Sequence, residues 1–202
     1  MNGLYLVTPD WDDTNKLLAV TEAALRGGAA LLQYRHKTAS PELQQEQAQA
    51  LLALCRRYHK PLIINDFVEL CLALDADGVH VGGTDASVAG VRAALGPGKM
   101  VGASCYGSLQ LAFDAQQAGA SYVAFGGFYP SRVKKYPVTT PVSIVSDAKA
   151  QIALPSVVIG GMTVENSAVL VQAGAVMVAA ISSVYLADDP EAAARGFAEL
   201  FH

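Results

Sequence analysis

Eight times along this 202-residue chain a short apolar run is followed by a polar or glycine-containing loop and then by an amphipathic helical stretch. The runs cover residues 4–7, 30–34, 62–64, 78–81, 100–103, 122–125, 157–159 and 176–180. They show little period-2 alternation, as expected of strands covered on both faces. Alternating β and α segments imply parallel strands joined by right-handed crossovers. Eight such units predict an α/β protein with a single (β/α)8 TIM barrel over residues 1–202, and no Pro/Ser-rich linker or low-complexity segment divides the chain. The alternative is an open doubly wound sheet, which would carry a glycine-rich fingerprint after its first strand. Thr8-Pro9-Asp10-Trp11 stands there instead, so the closed barrel is preferred.

The helical segments carry their own punctuation. Ser40 is suited to cap a helix with Pro41 at its first position, and Leu43, Ala50, Leu51, Leu54 and Tyr58 then share one face. Thr163 can cap a helix running to Ala173, with Gly174 at the left-handed position beyond it. Gly-Ala pairs at 28–29, 119–120 and 174–175 mark the passage from a helix to the next strand. Eight helical segments are expected, the last over 189–201.

Composition limits the partners. With 52% hydrophobic and 16% charged residues the chain is too apolar for disorder. No run reaches the roughly 18 apolar residues of a membrane-spanning helix. Asp10, Asp12 and Asp13 occupy the place of a secretory signal's apolar stretch. Fourteen Lys and Arg against 18 acidic residues leave no basic excess for a nucleic-acid backbone. Neither membrane nor nucleic acid is therefore expected as a partner, and association into a homo-oligomer is left open. Three cysteines, at 55, 71 and 105, share no metal-like spacing, and their odd number speaks against a disulfide framework. A reducing cytoplasm suits them. Cys55 and Cys71, in apolar helical stretches, read as core fillers, whereas Cys105, ending a strand, stays open between packing and function.

In barrels of this type the active site lies at the C-terminal ends of the strands. The second run leads into Gln33-Tyr34-Arg35-His36-Lys37, the third into Asn65-Asp66, and the fourth from His80 to Asp85. Ser104-Cys105-Tyr106 follow the fifth, and the sixth leads through Gly126 and Gly127 to Ser131, Arg132, Val133 and Lys134. Gly160-Gly161 and Ile181-Ser182-Ser183 close the seventh and eighth. These last two loops suit a phosphate held by backbone N–H groups, though the glycines would equally serve a tight turn. Arg35, Lys37 and Lys134 converge on the same face as Asp66 and Asp85. Any one of them alone reads as a solvated surface charge. Cations and carboxylates together point to a diphosphate clamped through Mg²⁺.

The remaining polar and aromatic residues are more ambiguous. His36 and His80 could act as general bases, although His80 is expected to point into strand packing. Trp11 reads as a lid or as a surface aromatic, and Phe128 and Tyr129 as ring-stacking groups or as filling of the barrel mouth. His59 and His202 look incidental. The segment 134–140 suits a lid by its length and its lysines.

With these residues in this order, the chain resembles the thiamine-phosphate synthase family over nearly its whole length. The motifs that carry the resemblance are Gln33-Tyr34-Arg35-His36-Lys37, Ile64-Asn65-Asp66, Asp77-Gly78-Val79-His80-Val81-Gly82 with Asp85, and Gly102-Ala103-Ser104. They continue with Tyr122-Val123-Ala124-Phe125-Gly126, Pro130-Ser131-Arg132-Val133-Lys134, Ile159-Gly160-Gly161 and Ala180-Ile181-Ser182. The resemblance implies a transferase of thiamine biosynthesis with two small-molecule substrates. It would join 4-amino-2-methyl-5-(diphosphooxymethyl)pyrimidine to 4-methyl-5-(2-phosphooxyethyl)thiazole, giving thiamine phosphate and diphosphate. It further implies that the run from Gln33 to Lys37, with Asn65, Ser104 and Lys134, binds the pyrimidine diphosphate. Asp66 and Asp85 would hold Mg²⁺, and Ser131, Arg132, Val133, Gly161, Ile181 and Ser182 the thiazole phosphate. Arg35, Lys37, Ser104 and Lys134 would be the catalytic members.

A dissociative reaction of this kind, in which diphosphate leaves before the thiazole nitrogen attacks, needs leaving-group stabilisation and positioning more than a general base. The chain departs from the common family pattern at His36, Phe67, Gly83, Ser131 and Val133, the last losing a hydroxyl. Two rivals are a thiazole tautomerase on the same barrel and a non-catalytic phosphate-binding barrel. Neither needs Arg35, Lys37, Asp66, Asp85 and Lys134 together.

Overall fold

The computed structural model describes residues 2–82, 87–131 and 140–202. Eight parallel strands form a closed barrel in sequence order. They are β1 (Gly3–Val7), β2 (Leu31–Tyr34), β3 (Leu62–Asn65), β4 (Gly78–Val81), β5 (Met100–Tyr106), β6 (Tyr122–Gly126), β7 (Ser156–Ile159) and β8 (Met177–Ala180). Closure comes from β1 pairing with β8, Leu4 opposite Val178 and Tyr5 opposite Ala179. The fifth strand is longer than the apolar run suggested, because Ser104, Cys105 and Tyr106 continue it past a register shift against β6.

Two apolar shells explain why the strands lack alternation. Successive side chains point to opposite faces, and here both faces are covered. Tyr5, Val7, Leu31, Ile63, Tyr122, Ala124, Val157, Met177 and Ala179 form the inner cluster. Leu4, Leu6, Leu32, Tyr34, Leu62, Ile64, Val79 and Val101 belong to the outer one, against the helices. Cys55, Cys71 and Cys105 are all buried in that outer shell, and burial pushes the Cys105 thiol up to about 12. The open question at Cys105 is thereby answered in favour of packing.

The helices are α1 (Thr14–Arg26), α2 (Pro41–Arg57), α3 (Val68–Leu74), α4 (Val88–Leu95), α5 (Leu109–Gln117), α6 (Ser143–Gln151), α7 (Val164–Gln172), α8 (Ser182–Tyr185) and α9 (Pro190–Glu199). The described residues thus hold one helix more than the sequence suggested, since the four-residue α8 precedes the expected final segment. Ser40 caps α2 as expected, its hydroxyl accepting from the Leu43 N–H. The buried face of α2 differs from expectation: Gln47, Ala48, Leu51, Leu52, Leu54 and Cys55 are covered, and Ala50 only partly. Gln47 can lie inside because both ends of its amide are bonded, Oε1 by the Tyr34 hydroxyl and Nε2 to the Trp11 carbonyl. Thr163 and Asn166 form a reciprocal capping box at α7, and Gly174 beyond its end has φ +117°. No described helix is long and apolar enough to cross a membrane.

Candidate active site

A cavity of about 920 Å³ opens at the C-terminal ends of the strands, with lining residues from all eight of them or the loops that follow. Gln33, Arg35, Lys37, Asn65, Asp66, Ser104, Ser131, Gly161, Ile181 and Ser182 all line it, as the sequence led us to expect. Two expected residues do not. Side-chain alternation past β2 sends Gln33, Arg35 and Lys37 into the cavity and turns Tyr34 and His36 outward. The Tyr34 hydroxyl is 3.1 Å from Gln47 on α2, and the buried His36 ring lies 3.0 Å from the Asp12 carboxylate. Tyr34 and His36 are thus part of the shell behind the site. Asp85, Arg132, Val133 and Lys134 lie outside the described residues, as does most of the segment 134–140.

Arg35 is clamped from β1. Its N–H donates to the Thr8 hydroxyl, which in turn donates to the Arg35 carbonyl. Its Nη1 donates to both oxygens of Asp10, at 3.0 and 3.2 Å, and Asp10 Oδ1 also accepts the Lys37 backbone N–H. One carboxylate therefore aligns two cationic residues. Sequence reasoning missed this role of Asp10. The available signal was its place three residues beyond β1, on the same barrel face as Arg35.

Asp66 sits in the left-handed region, with φ +65°. Its N–H donates to the His80 carbonyl, and its side chain is held among Asn65 Nδ2 at 2.6 Å, Lys37 Nζ at 3.2 Å and the Gly82 N–H. The carboxylate is thereby aimed beside the side chain of Lys37, in the cavity wall.

His80 corrects another expectation. Its neighbours Val79 and Val81 are in the outer shell, and so the imidazole faces inward and lines the cavity. Nε2 is 2.9 Å from Ser104 Oγ, Nδ1 is 3.1 Å from the Tyr122 hydroxyl, and the His80 ring stacks on that of Tyr122.

The seventh and eighth loops form the other wall. Gly161 has φ +65°, and a Cβ there would overlap the Pro130 carbonyl. The glycines make a tight turn, and the same turn brings bare backbone to the cavity. Tyr129 lines the cavity with its hydroxyl on the Asn166 carbonyl, while Phe128 is buried. Trp11 is neither a free lid nor a surface ring. It packs edge-on to Tyr185, centroids 5.5 Å apart, with Lys16 Nζ 4.2 Å from its ring centre.

The family model for thiamine monophosphate synthase matches residues 4–184. The chain belongs to the thiamine monophosphate synthase family. A thiamine-phosphate synthase of Janthinobacterium sp. is 70% identical over 201 residues, covering 100% of this chain and 97% of that one. Another, of Methylobacillus flagellatus, is 50% identical over 202 residues, with 100% and 96% covered. Among solved structures, a thiamine phosphate pyrophosphorylase from Pyrococcus furiosus superposes with TM-score 0.87 at 28% identity, covering 98% of this chain and 95% of that one. A 3-hexulose-6-phosphate synthase shares the fold alone, with TM-score 0.75 and 19% identity over 100% of both chains. The cavity therefore lies in a member of the thiamine monophosphate synthase family, at the barrel face where such folds hold their active sites.

Proposed function

We propose that this cavity joins an aminopyrimidine methyl diphosphate to a thiazole ethyl phosphate, releasing diphosphate and forming thiamine phosphate. The observation that carries the reading is the pairing of two unlike walls. Arg35, Lys37 and Asp66 stand at β2 and β3, and bare glycine backbone with Ser182 stands at β7 and β8. In a ring of eight strands β3 and β7 are diametrically placed, so two phosphorylated substrates can meet between them.

In the coupling, the bond between the pyrimidine methylene carbon and the diphosphate oxygen breaks, its electron pair leaving with the oxygen. A new bond then forms from the thiazole nitrogen to that carbon, and no proton need move. Arg35 and Lys37, already aligned by Asp10, would meet the charge that develops on the diphosphate. By family resemblance Lys134 would join them, and Ser131, Arg132, Val133, Gly161 and the Ile181-Ser182 backbone would hold the thiazole phosphate. Fixing both substrates supplies the orientation that such a reaction requires.

The donor set suits Mg²⁺. Asp66 contributes a carboxylate in the cavity, steadied by the Asn65 amide N–H, and carboxylate oxygens are what the ion takes. Asp66 and Asp85 would hold it, and once bound it would neutralise diphosphate charge. We further place this Mg²⁺-dependent transferase in the cytoplasm, with soluble small-molecule substrates and no membrane or nucleic-acid partner.

The test is incubation of the purified protein with both substrates and Mg²⁺. Thiamine phosphate and diphosphate should appear in equal amounts, and EDTA should stop the reaction. Isomerisation of the thiazole without coupling, or no reaction, would overturn the reading.

A further inference from the structure

The floor of the cavity contains a buried chain of hydrogen bonds that runs through a residue outside the cavity wall. Gln33 Nε2 donates to the Tyr5 hydroxyl at 2.7 Å, and the Tyr5 and Tyr122 hydroxyls are 2.7 Å apart. Tyr122 reaches His80 Nδ1 at 3.1 Å, and His80 Nε2 reaches Ser104 Oγ at 2.9 Å. Gln33, Tyr5, His80 and Ser104 line the cavity, whereas Tyr122 is wholly buried and does not.

The His80 tautomer sets the donor roles along the chain. A hydroxyl has one proton to give. With Gln33 donating to Tyr5, each proton can pass onward: Tyr5 donates to Tyr122, Tyr122 to His80 Nδ1, and the His80 Nε2–H to Ser104. Burial pushes both phenols well above their ordinary range, so both stay neutral donors at neutral pH. With the proton of His80 on Nε2, Ser104 accepts from it and keeps its own proton for the cavity. Gln33 keeps one N–H and its carbonyl oxygen, a donor–acceptor pair matching a ring nitrogen beside an amino group. The geometry is built in from neighbouring strands: Gly102 on β5 pairs with Tyr122 on β6, and any side chain at 102 would overlap the Tyr122 ring.

We propose that Tyr122 is a positioning residue for the pyrimidine end of the cavity, its buried hydroxyl joining Tyr5 to His80 and so setting which groups Gln33 and Ser104 present to the ring. The inference rests on the coupling reading above for the identity of the ligand. Tyr122 does not line the cavity and would act only through its two neighbours. Removing its hydroxyl leaves the Tyr5 proton and His80 Nδ1 without this shared partner, and Gln33 and Ser104 lose their common orientation.

The experiment compares the full-length wild type with Tyr122→Phe, which keeps the ring. Steady-state kinetics with Mg²⁺ and both substrates should show the KM for the pyrimidine diphosphate raised roughly tenfold. The KM for the thiazole phosphate should stay within about twofold, a split that a general loosening of the barrel would not produce. Tyr5→Phe breaks the chain one link away and should repeat the split. Combined with Ser104→Ala, Tyr122→Phe should lose the part of its effect that runs through Ser104, because coupled residues are not additive.

An unchanged pyrimidine KM, equal rises in both KM values, or full additivity with Ser104→Ala would overturn the proposal. So would failure of both hydroxyl variants to fold, since the hydroxyls would then support the barrel and not the ligand. Calorimetric binding of the pyrimidine diphosphate alone separates this inference from the coupling reading. A wild type that binds it tenfold tighter than Tyr122→Phe but makes no thiamine phosphate would sustain the positioning role and sink the coupling. A wild type that neither binds nor couples it would sink both.

Discussion

Arg35 and Arg92 stand at opposite ends of the barrel and hold opposite kinds of partner. Arg92, below β5 and β6, donates to the carbonyls of Gly96, Lys99 and Gly119 and to the Ser121 hydroxyl. All three of its nitrogens are engaged, and they tie together the ends of two helices and the starts of two strands. Arg35, above β2, is held by Asp10 through Nη1 alone, and among the described residues its Nε and Nη2 carry no bond. The same contrast runs through the neighbouring residues. At the lower end Lys99 bonds the Ala76 carbonyl as well as the exposed Asp75 carboxylate, and Asp77 accepts the Leu62 N–H. At the upper end Lys37 meets Asp66, Asn65 meets Asp66, and His80 meets Ser104. Polar side chains that saturate backbone groups stabilise loops, whereas side chains aligned by one another at a cavity are pre-organised for a ligand.

The contrast is broken most severely at Arg35. Arg35→Ala should lower kcat/KM by about a thousandfold through lost transition-state charge stabilisation, with little change in thermal unfolding. Arg92→Ala should do the reverse. It leaves several partly buried carbonyls unpaired and should cost about 2–4 kcal/mol of stability, read by chemical denaturation, while turnover per folded molecule persists. If Arg92→Ala abolished turnover in folded protein, or Arg35→Ala unfolded the chain, the division between the two ends would fall.

Asp10→Asn gives a finer test. It keeps the shape but weakens the clamp on Arg35 and Lys37, and a fall of about tenfold in kcat/KM is expected. Asp10→Ala should cost more than Asp10→Asn if the role is alignment.

The smallest effect concerns the shell that belongs to neither end. The three cysteines should resist a thiol reagent at pH 8 in the native protein and all react after denaturation. Burial raises the Cys55 and Cys105 thiols to about 12. An unfolded thiol ionises near about 8.5. The stabilising contribution is therefore complete below that pH and is lost as pH rises toward about 12, so denaturation midpoints should fall across that window.

Much of this architecture was legible in local patterns. Short apolar runs separated by capped helices announced the barrel, and the strand-end rule led to Arg35, Lys37, Asn65, Asp66 and Ser104. The errors at Tyr34, His36 and His80 share one cause. Each lies in a strand or just beyond one where both faces are covered, so polarity along the sequence does not say which parity faces the cavity. Asp10 went unread because its partners are 25 and 27 residues away. The helix α8 escaped notice because four residues without a side-chain cap carry no periodic signal.

By itself, then, the sequence determined the order of strands and helices and the set of chemically able residues at the strand ends, because caps, turns and periodicity are local. Closure of β8 onto β1 decided the rest. It fixed the parity of every strand, sent His80 inward and His36 outward, and brought the Tyr5 hydroxyl within 2.7 Å of Tyr122 across 117 residues. A tyrosine in an apolar strand reads as core until the opposite wall is in place, since its hydroxyl takes its meaning from the partner it meets there.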